Sequence, residues 1–235
     1  MTYNNFLEEL NGYAEEKLAR FHEPIISSKS QKILGVRTPI LRQIARGCVN
    51  DVDELLSFPD EFHEVTMVKL LTVSYLPFER FTGYVRQAVG LISNWMQCDC
   101  FKAACIATHK REFLPYVDEF FMRSDEFWQR YALVTLLYNY VDEEYFEKIF
   151  SYLSRANTQN YYVHMAAAWL VAELLIKRYD FGLHVLQRGV LDAKTHDKAI
   201  QKARESFRIS TEKKEFLNSL KINKKKVTYG YFTNA

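Results

Sequence analysis

Glycine and proline are scarce in this chain, at 8 and 5 among 235 residues. Turns draw heavily on these two residues, so a fold of many short strands is disfavoured and long helices are favoured. Cysteine is limited to Cys48, Cys98, Cys100 and Cys105. They form no C-x-x-C pair and no histidine stands at ligand spacing beside them, so no zinc or other metal site is expected. Reduced thiols of a cytoplasmic protein are the natural reading. Net charge is low, with 31 basic against 29 acidic side chains. A nucleic-acid face therefore requires basic residues to be sorted onto one side. No apolar run approaches the roughly 18 residues of a membrane span. The opening Met1-Thr2-Tyr3-Asn4-Asn5 lacks the basic and apolar regions of a secretory signal. The phosphate-cradling glycine loops, H-E-x-x-H and G-x-S-x-G are also missing, so nucleotide cofactors, zinc-protease and serine-hydrolase chemistry are not indicated.

What is abundant is apolar and aromatic. Hydrophobic residues make up 48% of the chain, including 15 Tyr and 17 Phe, enough for a sizeable core. Apolar residues recur at spacings of three and four through most of the sequence. The pattern predicts a helix from Tyr3 to Arg20, ended by Pro24 and the cluster Ser27-Ser28-Lys29-Ser30. A helix capped by Thr38, with Pro39 at its first position, comes next. Further helices are expected over 51–58, 61–75, 78–92, 94–107, 111–122 (Pro115 in its first turn) and 127–140. The remainder fall at 142–155, 160–177, 181–189, 192–207 and from Ser210 or Thr211 to Ile222. No stretch shows sustained strand alternation. Helix pairs recur about every 30 to 45 residues, the spacing of helical repeats. The expected architecture is all-α, a solenoid of stacked helix pairs with a concave face, against a compact irregular bundle as the alternative. One domain is expected over 1–222, with 223–235 a loosely held tail.

Chemistry concentrates near Ser93-Asn94-Trp95-Met96-Gln97-Cys98-Asp99-Cys100-Phe101. Trp95 and Asp99 are four apart, one helical turn from each other on a shared face. An indole face attracts cations and a carboxylate supplies full charge, a pairing suited to a cationic ligand. The structural alternative makes Trp95 a core anchor and Asp99 the cap of a helix starting near Cys100. The other tryptophans, Trp128 and Trp169, stand on separate expected helices. Arg130 is placed in the first turn of an apolar helix, which suits either a groove-facing arginine or an ordinary surface one. The six histidines are scattered one per segment and read as surface or core residues.

Five segments carry a family resemblance. Leu34-Gly35-Val36-Arg37-Thr38-Pro39 with Leu41-Arg42 is the first. Asn94-Trp95 with Asp99 is the second, and Phe127-Trp128-Gln129-Arg130 the third. Tyr161-Tyr162-Val163 leading to Ala168-Trp169 is the fourth, and Lys198 to Lys202 ending in Glu205-Ser206-Phe207 the fifth. In this order they resemble the DNA alkylation repair family, the AlkD-like DNA glycosylases built from HEAT-like repeats. The resemblance implies a concave face that wraps duplex DNA. It also implies excision of positively charged alkylpurines such as 3-methyladenine and 7-methylguanine, by a monofunctional enzyme with no cofactor and no base-flipping pocket. Carried over by position, Asp99 is the catalytic carboxylate, and Trp95 and Trp169 are aromatic walls. Arg130 contacts the DNA backbone, with Arg37, Arg42, Lys202 and Arg204 as further DNA-binding candidates. A monomer is expected.

The chemistry suits these residue types. An alkylpurine cation is already a good leaving group, and breaking its glycosidic bond builds positive charge on the deoxyribose, which a fixed carboxylate stabilises. The sequence departs from the family pattern around Trp169, where Met165 and Ala172 replace basic residues. It departs again where Pro24-Ile25-Ile26 replaces an aromatic ahead of the Leu-Gly signature. Both departures imply a weaker grip on DNA or a more open wall. A non-catalytic module for distorted or branched DNA and a protein-binding scaffold are the alternative functions.

Overall fold

A computed structural model describes residues 2–26 and 31–223, and among them every named element is helical. The chain divides into two compact units, Met1–Tyr140 and Val141–Ala235. In the first unit α1 spans Tyr3–Asn11, α2 Glu16–Ile26, α3 Thr38–Gly47, α4 Val52–Leu56 and α5 His63–Ser74. Next come α6 (Phe78–Gly90), α7 (Trp95–Cys100), a 3₁₀ turn at Ala104–Thr108, α8 (Lys110–Phe121) and α9 (Glu126–Asn139). In the second unit a 3₁₀ turn at Glu143–Tyr145 precedes α10 (Phe146–Arg155), α11 (Tyr161–Lys177) and α12 (Tyr179–Gln187). α13 (Ala193–Glu205) and α14 (Thr211–Ser219) complete it.

Alternate helices form an inner row. In the first unit α3 packs on α5, α5 on α7 and α7 on α9, while α4, α6 and α8 lie against that row. In the second unit α11 packs on α13, with α12 against α11 and α14 against α13. These are stacked helix pairs, the all-α repeat architecture expected from the spacing. Ties between successive inner elements keep a constant register of 31 residues. They join Asn94 to His63 at 3.2 Å, Arg130 to Asp99 at 2.7 Å, and His164 to Thr195 at 2.8 Å.

All twelve residues of α5 are buried, including His63, Glu64, Lys69 and Thr72. Polar groups buried on every side of a helix must find partners or cost stability. The Glu64 carboxylate accepts backbone N–H bonds from Leu34 at 3.0 Å, Gly35 at 2.8 Å and Val36 at 3.4 Å. Lys69 donates to Asp60 at 2.9 Å and Thr72 to the Ala45 carbonyl at 3.2 Å. The Leu34-Gly35-Val36 segment is thus bent around a buried carboxylate, which sets the entry to α3. Gly35 has φ 81°, and an added Cβ would come within 2.3 Å of the Glu15 carbonyl, so only glycine fits.

Several boundaries differ from those read in the sequence. The first expected helix is two helices, broken at Asn11-Gly12, and Pro24 lies inside the last turn of α2. The cluster Ser27-Ser28-Lys29-Ser30 falls outside the described residues. Thr38 is the first residue of α3, and the cap position belongs to Arg37, which makes no side-chain capping bond. The helix expected over 94–107 ends at Cys100, because Phe101 turns inward and stacks on Tyr131 at 5.1 Å. Pro115 is the sixth residue of α8 and not in its first turn. At the far end the Ile222 and Asn223 amides donate to Asp197 on α13, at 2.8 and 2.9 Å. Residues 224–235 of the expected tail fall outside the described residues.

Candidate active site

α7 is short, and its geometry is imposed from α5. Asn94 is the N-cap, its side chain accepting the Gln97 amide at 3.0 Å. The other end of the Asn94 amide donates to His63 Nδ1 at 3.2 Å, and Gln97 Nε2 approaches the same nitrogen at 3.3 Å. Gln97 Nε2 also donates to Gln31 at 2.8 Å. Burial first, then the nearby His22, pushes His63 down to about 4, so its ring is neutral and Nδ1 acts as an acceptor. Trp95, the first residue of α7, is held from another side. Its indole N–H donates to the Ile25 carbonyl at 2.9 Å, in the last turn of α2, where carbonyls lack helical partners. The backbone at Ile25 therefore holds one ring of the site.

Asn94 caps α7 and Asp99 lies within it, which removes the reading of Asp99 as a helix cap. The Asp99 carboxylate receives a two-pronged bond from the Arg130 guanidinium, Nε to Oδ1 at 3.0 Å and Nη2 to Oδ2 at 2.7 Å. The arginine side chain is 6% exposed and the aspartate 17%. Arg130 is the fifth residue of α9, beyond its first turn, and is buried, so neither part of the surface-arginine reading holds. A planar fork matched to a carboxylate fixes orientation as well as charge.

Further groups gather around this pair. Burial raises the Tyr138 phenol, and the Asp99 carboxylate adds to the rise. The Lys102 amine lies 3.6 Å from the Tyr138 ring centroid. Burial raises the Cys100 thiol, while the charge of Arg42 on α3 acts in the opposite direction. All four cysteines are free thiols, and the described residues contain no His, Cys, Asp and Glu grouping able to hold a metal. Arg37 turns elsewhere, into a two-pronged pair with Glu15 that includes a 2.8 Å bond.

Trp169 belongs to the second unit, on α11, with Glu173 one turn on. Glu173 pairs with Lys177 at 3.1 Å and Arg208 at 3.3 Å. Trp169, Glu173, Lys202 and Arg208 line an open cavity of about 300 Å³. Arg204 is half-buried on α13, its Nε shielded from solvent without an acceptor. The structure thus brings Trp95, Asp99 and Arg130 together, joins Trp169 to Lys202 in the second unit, and gives Arg37 to Glu15. Sequence reading missed Lys102, Tyr138, His63, Glu173 and Arg208. One signal was available, because Trp169-x-x-x-Glu173 repeats the spacing of Trp95-x-x-x-Asp99.

A fixed carboxylate beside an indole face can hold a cation and stabilise positive charge that develops on a bound group. A comparison with curated proteins finds no match. The family model described as DNA alkylation repair enzyme matches residues 6–208, crossing both units. With the helical repeats and the Trp95–Asp99–Arg130 arrangement in place, the chain belongs to the DNA alkylation repair enzyme family.

Proposed function

We propose that this chain is a DNA glycosylase that releases positively charged alkylpurines, such as 3-methyladenine and 7-methylguanine, from duplex DNA. The family supports a role in repair of alkylated DNA and an enzymatic one. The observation that carries the finer reading is the Asp99 carboxylate, partly exposed, oriented by buried Arg130 and one turn from an indole fixed by Ile25. Its negative charge meets the positive charge that grows on C1′ as the base departs, and it orients the attacking water. The Trp95 face contributes cation–π attraction of about 0.5–2 kcal/mol. Arg130 takes a different part from that implied by family resemblance. It holds Asp99 ready for the reaction rather than serving first as a phosphate contact.

In this reading the monomer acts in the cytoplasm without a cofactor. Duplex DNA containing alkylated bases is its substrate. Trp169 offers an aromatic face in the second unit, and Arg37, Arg42, Lys202 and Arg204 engage phosphates. Phosphate contacts position the duplex while the Asp99 site selects the lesion. One observation favours the alternative of a non-catalytic module for distorted DNA. The Arg130 guanidinium already neutralises Asp99, and a carboxylate with a standing partner has less field to offer a transition state. Incubation with methylated duplex DNA separates the two readings. Released 3-methyladenine and 7-methylguanine support the glycosylase, and tight binding without release supports the module.

A further inference from the structure

Asp99 is fixed from two sides. Arg130 grips its carboxylate, and the six-residue helix that carries it, α7, is held at its start through Asn94 and Gln97. Backbone donors settle which way both amides point. The Asn94 side-chain oxygen accepts the Gln97 N–H at 3.0 Å, and the Gln97 side-chain oxygen accepts the Ser93 N–H at 2.9 Å. With its oxygen engaged, each amide has N–H groups to offer elsewhere. Both offer them to one atom, Nδ1 of His63 on α5, at 3.2 and 3.3 Å. That nitrogen must accept, so the ring proton belongs on Nε2. Nε2 is shielded from solvent and has no acceptor among the described residues. A buried N–H without a partner costs stability, and an apolar side chain at this place on α5 would avoid that cost. Burial of α5 therefore does not account for a histidine at position 63, whereas the bonds to α7 do.

We propose that His63 is a positioning residue for base release: through Asn94 and Gln97, its Nδ1 lone pair sets where α7 places Trp95 and Asp99. The proposal rests on the reading of Asp99 as the carboxylate that assists departure of the base. Buried as it is, His63 meets no DNA and acts through α7. Trp95 is the first residue of that helix and Asp99 the fifth, so a shift at Asn94 carries both. Without the lone pair, the Asn94 and Gln97 N–H groups lose their common acceptor and the start of α7 is free to move. A displaced carboxylate affects rate far more than affinity. The sugar charge it meets exists only in the transition state, while the contacts that hold the duplex are made to phosphates by other residues. His63 is thus expected to govern the rate of release from bound DNA and to leave binding nearly unchanged.

The test uses the full chain and duplex DNA carrying 7-methylguanine. Single-turnover release at saturating protein, the half-saturating protein concentration and the melting temperature are measured for each variant. His63→Leu removes the lone pair, and release at saturation is expected to fall roughly 10²-fold, the scale of a small misplacement, with the half-saturating concentration little changed. His63→Asn returns an acceptor oxygen near the place of Nδ1 and restores most of the rate. Asn94→Ser keeps a good helix cap but does not reach His63, and it loses rate as His63→Leu does. It carries the test if His63→Leu does not fold. Val68→Ala opens a cavity on the same buried helix, so it lowers the melting temperature while keeping the saturating rate. Nitrogen-15 spectra of the wild type at neutral pH are expected to show His63 neutral with its proton on Nε2. Wild-type rates from folded His63→Leu or Asn94→Ser, no recovery in His63→Asn, an equal loss of rate in Val68→Ala, or a proton on Nδ1 overturns the proposal. Any of these beside base release by the wild type rejects the positioning role alone. No release by the wild type rejects the glycosylase reading and the proposal with it.

Discussion

Asp99 and Arg130 divide the charge of the site between them, and each depends on the other. Removing the arginine leaves a largely buried carboxylate without its partner, a change that commonly costs several kcal/mol. Because an edge of Asp99 still meets solvent, Arg130→Ala is expected to lower stability by about 2–3 kcal/mol, less than for a fully buried pair. Excision should fall with it, since the carboxylate loses its orientation. Arg130→Lys keeps the charge without the fork and should lie between the two. Thermal melts and excision rates unchanged in Arg130→Ala would show that the pair orients nothing. His63 is a second residue with a measurable signature. Its folded proton affinity is depressed to about 4, below the value of about 6.5 for an unfolded histidine. The unfolded chain therefore takes up the proton first as pH falls. The contribution of neutral His63 is complete above pH 6.5 and is lost progressively toward pH 4, at most about 3 kcal/mol. Melting temperatures across this window should decline less in His63→Gln than in the wild type, and parallel curves would remove His63 from the account.

At the scale of elements, the sequence is most informative where a local rule decides. The starts of α9, α13 and α14 follow from capping side chains of Asp125, Asp192 and Ser210, each within three residues of the amides it satisfies. The apolar run of α11 identifies itself by composition, and Trp95 to Asp99 is helical as the spacing implies. What the sequence hid depends on distant partners. Glu64 reads as one more acidic residue on a helix, yet it is buried and holds a backbone turn about 30 residues earlier. Arg130 reads as either groove-facing or exposed, because nothing local shows that Asp99, 31 residues back, receives it. The split of the first helix was visible in Asn11-Gly12, but the apolar period running through it concealed the break. The turn over Glu64 offers a stringent test of the element that leads into α3. Gly35→Ala places a methyl group against the Glu15 carbonyl and the Ala19 amide, at 2.3 and 2.6 Å, in a left-handed conformation. Loss of about 2 kcal/mol or more is expected, in the upper part of the range for strained single positions. Wild-type stability of Gly35→Ala in a urea titration would show that the turn relaxes freely.

For the whole molecule, a net charge of +2 makes the sorting of charge decisive. Arg37 and Arg208 are balanced by Glu15 and Glu173, so their engagement with phosphate requires an exchange of partners. Lys202, on the cavity beside Trp169, is a further candidate for a phosphate contact in the second unit. DNA affinity should fall with salt, and Lys202→Ala should weaken binding to all sequences while reducing the slope of log affinity against log salt by about 1. Fluorescence anisotropy between 50 and 200 mM salt, the range in which counterion release is pronounced, measures both. An unchanged slope would make Lys202 an ordinary solvated charge.

On the proposed mechanism the Asp99 carboxylate stabilises charge that appears only as the glycosidic bond breaks. Single-turnover release of 7-methylguanine by the wild type and by Asp99→Asn, with melting temperatures and DNA affinities alongside, tests it most directly. The substitution keeps the shape of the side chain and removes its charge. Release should drop by on the order of 10²–10³ while ground-state DNA binding changes little. Equal rates from two folded proteins would remove Asp99 from the reaction.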